Sequence, residues 1–464
     1  MRQRRTSVPS AGRILLAAAA FGIPAAPASA AELQIEGYYR ARARAFDTLS
    51  LNRDLANSEG FASYVQHRLW LRPKILVSDE IGVFVDLRAL DNLVWGNEAV
   101  SYIDPSTGAE LPLEFMNSLQ PPATTEENAE EPPTDITLWR AWGEAHTPAG
   151  NFKFGRMPLS WGMGIWQNDG LAIDAEYGDT ADRLQWEYLF DEVFVRLAYD
   201  IDSDVVVNDT DDTTSYNGAV AFRSEETMAG LQAQLKRTPS RTFNLFSIDA
   251  TFDASLGVVG LGFEFVGQFG AGDLANGAND VSVTAFGSVL DIAIESEPVF
   301  AGLEGGFASG DSNAADQKIK AFAFDRDYNV ALMMFEQPMP TLAASIANDV
   351  NRGRDYETAL TGPAVQNALY LRPTVGYWLH DGLSADVTGI FARVARLPEG
   401  SNLGRSYGME FDATVRYRPY DPFEVAFTFG AFIPGGYYAD YSDDTYSGFD
   451  APAFGGQLNA SIEF

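Results

Sequence analysis

The stretch Gln457-Leu458-Asn459-Ala460-Ser461-Ile462-Glu463-Phe464 alternates polar and apolar side chains up to a final aromatic residue. Because successive side chains of a β-strand point to opposite faces, one face of this strand is polar and the other is apolar. The apolar face consists of Leu458, Ala460, Ile462 and Phe464. Such a strand is typical of an outer-membrane β-barrel, whose apolar face contacts lipid and whose polar face lines a lumen. We expect it to close the barrel, with Phe464 as a signal for the barrel assembly machinery.

Residues 1–30 have the features of a secretory signal peptide. These features are a positive start at Arg2, Arg4 and Arg5, a short apolar stretch at 14–23, and a small-residue cleavage site at Ala28-Ser29-Ala30. After Ala31 the sequence contains no run of about 18 apolar residues, which excludes transmembrane helices. We therefore expect secretion, removal of the signal peptide, and location in the outer membrane of a Gram-negative bacterium.

The composition agrees with a β-rich membrane protein outside the cytoplasm. The chain has no cysteine, 42 glycines, 12% aromatic residues and a mean hydropathy of −0.12. Lipid-facing apolar residues that are diluted by polar lumen and loop residues produce such a value. The formal net charge of −32 argues against nucleic acid as a partner.

Alternating runs separated by Gly, Asp, Asn, Ser and Pro recur along the mature chain. At roughly 24–27 residues per strand with its loop, residues 31–464 predict an all-β fold, a single transmembrane antiparallel β-barrel of about 16–18 strands, with 18 favoured. Tight turns at 78–80 and 380–382 are typical of the periplasmic end. Long extracellular loops are expected at about 96–134, 200–215, 325–366 and 434–450.

One insertion departs from the strand pattern. Residues 338–350 place apolar residues at a four-residue spacing, which predicts a short helix that either lies in a surface loop or folds into the lumen as a plug. The loops carry much of the negative charge. They are either solvated, or they bridge calcium to the phosphates of lipopolysaccharide, a partner that we expect together with outer-membrane lipid.

The eight tryptophans lie in or beside the predicted strands. Amphipathic indole rings prefer the membrane interface, so most of them are expected to anchor strand ends. The alternative for Trp70 or Trp142 is stacking against a sugar.

Basic residues fall on the polar face of several predicted strands. An arginine in contact with lipid costs about 2–4 kcal/mol near the membrane midplane, which forces these side chains inward. The predicted lumen residues are Arg40, Arg42, Arg44, Arg68, Arg72, Lys74, Arg88 and Arg140. Candidates to screen their mutual repulsion are Glu36, Asp86, Glu144, Glu410 and Asp412. The set is either a salt-bridged wall that stiffens the barrel, or a basic track for hydroxyl-rich or anionic solutes.

Two stretches resemble motifs of alginate-export-type outer-membrane barrels. They are Asn151-Phe-Lys-Phe-Gly-Arg-Met-Pro-Leu-Ser-Trp-Gly-Met-Gly164 and Gly306-Phe-Ala-Ser-Gly-Asp311. A third stretch, 167–183, is similar to predicted outer-membrane proteins of myxobacteria and their relatives. The resemblance implies a barrel of about 18 strands with a polar lumen for exopolysaccharide export or small hydrophilic solutes. It also implies periplasmic polysaccharide-export proteins as partners.

The resemblance further implies that Arg156 faces the lumen and that Asp311 lies near a strand end. Arg156 shares strand parity with Phe152 and Phe154, so the residues themselves leave its orientation open. The acidic composition also departs from that expected of a conduit for an acidic polymer.

A channel is the function that these features favour, with a polar, partly arginine-lined lumen that passes hydrophilic solutes, carbohydrate or exopolysaccharide. The alternatives are a general diffusion porin and a plugged structural or adhesive barrel that acts through its acidic loops. The three histidines, His67, His146 and His380, are too far apart in sequence to suggest a metal pair. An outer-membrane lipase would need Ser, His and an orienting carboxamide together on the outer wall, and the predicted inward position of His146 disfavours that. We expect no enzymatic activity, no metal and no cofactor.

Overall fold

The computed structural model describes residues 31–47, 61–94, 102–103, 110–111, 136–203, 212–273, 280–313, 316–336, 364–397, 399–439 and 451–464. The strands of the barrel are β1 (Glu32–Asp47), β2 (Phe61–Leu76), β3 (Ile81–Val94), β6 (Ile136–Thr147), β7 (Gly150–Pro158), β8 (Thr180–Phe190), β9 (Val193–Ser203), β10 (Thr213–Arg223), β11 (Thr227–Thr238), β12 (Phe243–Leu256), β13 (Val259–Gly272), β14 (Val281–Ser296), β15 (Val299–Ala308), β17 (Ala368–His380), β18 (Leu383–Val394), β19 (Ser406–Tyr420), β20 (Phe423–Pro434) and β21 (Ala453–Glu463). Three two-residue strands are β4 (Tyr102–Ile103), β5 (Glu110–Leu111) and β16 (Lys318–Ile319). The helical elements are a 3-10 turn at Pro239–Arg241 and a short helix at Gly436–Ala439. In the described residues, no helix has the length and apolar character needed to cross a membrane.

The barrel closes between its first and last strands. Each barrel strand pairs antiparallel with its neighbour, and β21 pairs with β1 from Tyr38 opposite Glu463 to Asp47 opposite Phe454. The amide of Gly37 donates to the carbonyl of Phe464 at 2.9 Å, and the amide of Phe464 donates back at 3.0 Å. The predicted all-β barrel and the favoured count of 18 strands are confirmed.

The two ends of the barrel differ in the length of their connections. Short turns and both ends of the described chain lie at one end, which is the periplasmic end in barrels of this class. These turns are 77–80, 148–149, 191–192, 224–226, 257–258, 297–298, 381–382 and 421–422. The longer connections all lie at the opposite, extracellular end, so the side chains of a strand can be assigned a height in the membrane.

The wall separates apolar from polar residues as the alternation predicts. Leu458 and Ile462 of β21 are exposed on the outer surface, whereas Ser461 is buried inside. In β1, Ile35 is exposed and Arg40 is buried. Apolar side chains that a soluble protein would cover form a continuous outer belt, because lipid is their solvent.

The lumen is partly filled by two chain segments, which we name the first inner loop (159–179) and the second inner loop (321–336). Large side chains of both loops, including Ile165, Phe322 and Met334, are buried in one cluster with inward residues of the wall. A Cβ atom at Gly287 of β14 would overlap the ring of Phe322. The wall therefore uses a glycine where the second inner loop lies against it.

Several predicted loop boundaries need correction. The connection predicted at 200–215 is shorter, because Asp200 and Asp202 lie on β9 and their inward position satisfies the strand alternation. Tyr437, predicted in an exposed loop at 434–450, is buried in the cluster of the inner loops. Of the loop predicted at 325–366, residues 325–336 lie inside the barrel. The predicted helix at 338–350 and most of 96–134 lie outside the described residues.

The prediction that tryptophans mark the membrane interface holds for only part of the set. Trp186 lies at the periplasmic end, where its indole N–H donates to the carbonyl of Ala149 at 2.8 Å. Trp70, Trp142 and Trp161 are buried inside the barrel. Their inward positions follow from strand parity for Trp70 and Trp142, and from the inward course of the first inner loop for Trp161.

We expect Gly287→Ala to loosen the second inner loop, because the new methyl group overlaps the Phe322 ring and overpacking costs about 1–3 kcal/mol. Limited trypsin digestion of the folded barrel should then cleave after Arg326 faster than in the wild type. The matched control is Gly302→Ala, whose Cβ would meet its nearest side chain at 3.8 Å. Equal cleavage in both variants would contradict the assigned contact.

Candidate functional site: arginines of the wall and two inner loops

Arginine side chains from four strands bind the backbone of the first inner loop. Arg40 donates to the carbonyls of Ile173 and Ala175 at 2.5 and 3.1 Å, and Arg68 donates to Ala175 at 2.7 Å. The other bonds run from Arg42 to Asp174, from Arg68 to Glu176, from Arg88 to Tyr177, and from Arg140 to Asp169 and Asp179. An irregular segment inside a barrel has no strand partner for its carbonyls, and the guanidinium groups supply the missing donors.

Glu176 adds a carboxylate to the same contact. Its Oε1 accepts hydrogen bonds from Arg42 at 2.5 Å and from Arg44 at 2.6 Å. Asn459 and Gln457 of β21 hold the two guanidinium groups from the other side, at 2.9 and 2.7 Å. Burial alone would raise the pKa of Glu176, but Arg44 and Arg42 outweigh it and keep that pKa below its usual range. The Arg42–Arg44 pair is thus already arranged to hold one carboxylate.

The repulsion expected between basic residues on adjacent strands is relieved inside the wall. Arg40 and Arg68 are register partners on β1 and β2, and Asp91 forms ion pairs with Arg68 and Arg88. Asp86 is fully buried between Arg72 at 2.9 Å and Arg140 at 3.3 Å. The predicted screening role of Asp86 therefore agrees with the structure.

Aromatic rings provide further support for the arginines. The guanidinium group of Arg88 lies 3.2 Å from the ring centre of Trp139 and 4.9 Å from that of Trp70. Arg140 lies 3.6 Å from the Trp139 ring. These are cation–π contacts within the range that stabilises a cation on an indole. The inward tryptophans hold the basic wall and leave no free face for a sugar at Trp70.

The second inner loop connects the first inner loop to β19. Asp327 accepts the amides of Glu176 at 2.7 Å and Tyr177 at 3.0 Å, so the two loops contact each other directly. Glu410 then accepts the amides of Met333 and Met334, and Asp412 accepts that of Leu332. Hydrogen bonds therefore run from the arginines of β1, through both inner loops, to the carboxylates of β19, a strand that β21 and β20 separate from β1. Glu410 and Asp412 were predicted to screen arginines, but they bind loop amides instead.

A second stretch of the wall, from β12 to β19, is rich in carboxyl groups. Its buried carboxylates belong to Asp249, Glu264, Glu304, Glu410 and Asp412. Glu264 accepts the amide of Met163 in the first inner loop, and Glu304 accepts the hydroxyl of Tyr370 at 2.5 Å and Arg372 at 3.3 Å. Buried guanidinium groups are therefore concentrated along β1–β6, and most of the buried carboxyl groups lie along β12–β19.

A small cavity of ≈ 130 Å³ lies between the inner loops and the β1–β21 wall. Its charged and amide residues are Arg42, Arg44, Arg326, Asp174, Glu176, Asp327, Glu336, Asn329 and Gln457. The Arg326 guanidinium is exposed and lies 4.1 Å from the ring centre of Tyr177. Three guanidinium groups from two different elements thus converge on one cavity.

The predicted lumen residues divide into three groups. Arg40, Arg68, Arg88 and Arg140 face inward but are occupied by the first inner loop. Arg72 and Lys74 lie nearer the periplasmic end, where Lys74 pairs with Glu36 at 2.6 Å. Arg42 and Arg44 are the members of the predicted set that reach the cavity.

Arg156 does not face the lumen, and the orientation implied by the resemblance is wrong. It shares the outer face of β7 with Phe152 and Phe154, and it is 56% exposed. Asp182 of β8 neutralises it through two parallel hydrogen bonds of 2.9 and 2.7 Å. An arginine tolerates this position because it lies near the extracellular end of the strand and carries its counter-ion on the neighbouring strand.

Glu176, Arg326 and Asp327 contribute to the cavity but were not predicted. All three lie in connections, and strand periodicity carries no information on which connections turn inward. The one signal in the sequence is the match between acidic residues in 169–179 and the basic strands β1 and β2. That match becomes informative only when the two segments are known to be close.

The fold has counterparts among solved structures. Pseudomonas aeruginosa OccK9 (OpdG) superposes with a TM-score of 0.52 at 11% identity, covering 93% of this chain and 98% of that one. P. aeruginosa OccK11 (OpdR) has a TM-score of 0.51 at 9% identity, with 93% and 96% covered. Acinetobacter baumannii OccAB4 has a TM-score of 0.50 at 10% identity, with 93% and 98% covered. The fold is that of outer-membrane porins.

At such low identities the similarity defines the fold alone. No family model matches the chain, and no curated protein matches its sequence. The solved structures therefore support an outer-membrane β-barrel, but they do not support the alginate-export type in particular.

Carboxyl groups where the inner loops meet predict a pH dependence. Burial raises the pKa of Asp179 to about 6, and burial together with Asp179 raises the pKa of Asp325 to about 8. Both values lie above about 3.9, the value of a free aspartate. Between the free value and these raised values the docked loops bind more protons than released loops. Docking is therefore strongest below about pH 4, weakens as the pH rises, and stops changing above about 6 for Asp179 and about 8 for Asp325.

As the pH rises over this range, we expect trypsin to cleave the folded barrel faster after Arg326. The cleavage rate is expressed relative to that of an unfolded substrate at the same pH. Asp179→Asn with Asp325→Asn should flatten the dependence, because neither amide titrates. Asp316→Asn, at a half-buried carboxylate outside the inner loops, is the control and should leave the profile unchanged. An identical profile in the wild type and the double variant would exclude the two carboxyl groups as its source.

Proposed function

We propose that the protein is an outer-membrane channel for small hydrophilic anions, with carboxylated solutes as the preferred class. The observation that carries this proposal is the position of Glu176, whose carboxylate binds Arg42 and Arg44 at 2.5 and 2.6 Å beside the cavity. An arginine pair that holds an internal carboxylate can hold that of a solute in the same way. Arg326 adds a third donor group from the second inner loop.

The filled lumen favours a small solute over a polymer. Residues of both inner loops are buried at the centre of the barrel, and they narrow the path between the walls. An exopolysaccharide conduit requires continuous space for a chain of linked sugars, so the narrowed lumen gives the export hypothesis no support. A general diffusion porin shares the fold but requires no specific contact with its solute, and measurements of selectivity separate the two.

We propose outer-membrane lipid and the barrel assembly machinery as partners of the protein. Such a channel needs no periplasmic export proteins, because a small solute reaches the pore by diffusion.

Arg42→Gln with Arg44→Gln should reduce the preference for anions. In planar bilayers with a KCl gradient, we expect the wild type to pass chloride more readily than potassium, and the double variant to lose most of that preference because two positive charges leave the cavity. The control is Arg156→Gln, which removes a positive charge from the lipid-facing surface and should leave the reversal potential unchanged.

Cation preference in the wild type, or an unchanged reversal potential in the double variant, would contradict the proposal. Absence of conductance in folded protein would indicate a plugged barrel instead.

Glu176→Gln should strengthen the binding of carboxylated solutes, because it removes the internal competitor for Arg42 and Arg44. We expect gluconate to block chloride current at a concentration about tenfold lower, equivalent to roughly 1.4 kcal/mol. Asp174→Asn is the matched control, since Asp174 lines the same cavity but contacts Arg42 through its backbone carbonyl. Weaker block in the Glu176 variant would mean that Glu176 positions the arginines for the solute instead of competing with it.

A further inference from the structure

A groove on the outer surface of the barrel lies at the extracellular end of β14 and β15. Residues 281–286 of β14 extend beyond the end of β15, because Gly287 already pairs with the last residue of that strand, Ala308. The space above β15 is occupied by β16, which pairs in parallel with β14 at Ser282 and Val283. A groove of ≈ 470 Å³ forms between these segments and the residues that follow β18.

The floor of the groove faces lipid. Ser282, Thr284 and Phe286 alternate along β14 with residues that are buried inside the wall, so they point outward, and Phe307 of β15 points the same way. The Phe286 ring contacts the outward ring of Phe269 edge to face at 5.6 Å. Below the groove, this aromatic surface is continuous with the apolar belt of the barrel.

Three cations surround the groove in a chain whose net charge is −32, namely Lys318, Lys320 and Arg396. Lys320 is engaged by Asp316 at 2.8 Å and by Asp311 at 3.6 Å. Among the described residues, no carboxylate lies within ion-pair distance of Lys318 or Arg396. Two exposed positive charges therefore remain available above an apolar, lipid-facing floor.

The backbone around these cations is firmly held. Arg396 donates its amide to the Asn367 side chain at 2.9 Å, and the Asn367 amide group donates back to the Arg396 carbonyl at 3.0 Å. The Ser309 hydroxyl donates to the Lys320 carbonyl at 2.7 Å and accepts the amide of Phe286 at 2.8 Å. The cations are thus placed by fixed backbone, while the Lys318 and Arg396 side chains stay exposed.

We infer that this groove binds a phosphorylated glycolipid of the outer leaflet, the lipid A portion of lipopolysaccharide. Acyl chains fit the floor at Phe286 and Phe307, and Lys318 and Arg396 bind phosphate at the height of the headgroups, where the strands end. A second outer groove, at Phe152, Leu184 and Leu197, is also apolar, but its cation, Lys153, belongs to the inward face of β7. Of these two grooves, the one above β15 combines an apolar floor with outward cations.

The test compares lipid retention by native mass spectrometry of the full-length mature barrel in detergent. The wild type should retain diphosphorylated lipid A. Dephosphorylated lipid A with the same acyl chains should bind roughly tenfold more weakly or worse, because one charge-assisted contact to phosphate is typically worth that factor. Lys318→Gln with Arg396→Gln should lower the affinity for the diphosphorylated lipid by a similar factor. Arg396→Lys, which keeps the charge, should retain most of it.

The matched control is Arg237→Gln with Arg241→Gln, which removes two exposed positive charges from the same end of the barrel, away from the groove. Heat-modifiable electrophoretic mobility verifies that each variant is folded. Equal affinity of the wild type for both lipids would overturn the inference, and so would equal loss in the test and control variants. This outcome is independent of channel selectivity, since the groove lies on the opposite side of the wall from the pore.

Discussion

The structure depends on the donation of hydrogen bonds from arginine side chains to the carbonyl groups of the first inner loop. A segment that leaves the strand ladder inside a membrane barrel brings unpaired backbone groups with it, and each one costs free energy until a partner is found. Arg40, Arg42, Arg68, Arg88 and Arg140 provide those partners within one patch of wall. The position of the loop, the narrowing of the lumen and the small cavity all follow from this arrangement.

The same interaction explains how a strongly acidic protein can contain a basic wall. Carbonyl groups accept hydrogen bonds from each of these arginines without adding negative charge. Asp86, Asp91 and Glu176 supply negative charge as compensation. On β19 the roles are reversed, because Glu410 and Asp412 accept backbone amides of the second inner loop. A solute carboxylate meets positive charge where Arg42, Arg44 and Arg326 reach the cavity.

Regular alternation made the wall predictable at the level of single side chains. The face of Arg40, Arg68 and Arg88 and the outer position of Leu458 follow from a period of two residues and the cost of charge in lipid, and the number of strands follows from the length of the chain. The prediction was weaker where alternation ends or where a charge is neutralised by a neighbour. Asp200 belongs to a strand although its neighbours in sequence are acidic, and Arg156 lies on the outer face because Asp182 pairs with it.

The sequence by itself determined the barrel, the parity of its strands and the inward direction of its basic residues, because these depend on the contrast between lipid and water along each strand. Only the tertiary structure decided which of those residues remain available to a solute. Glu176 lies more than a hundred residues from Arg42 and Arg44 in sequence, and Asp327 lies farther still. Their contacts arise because two connections turn inward and meet, and that choice is governed by long-range hydrogen bonding and packing, which no local pattern records.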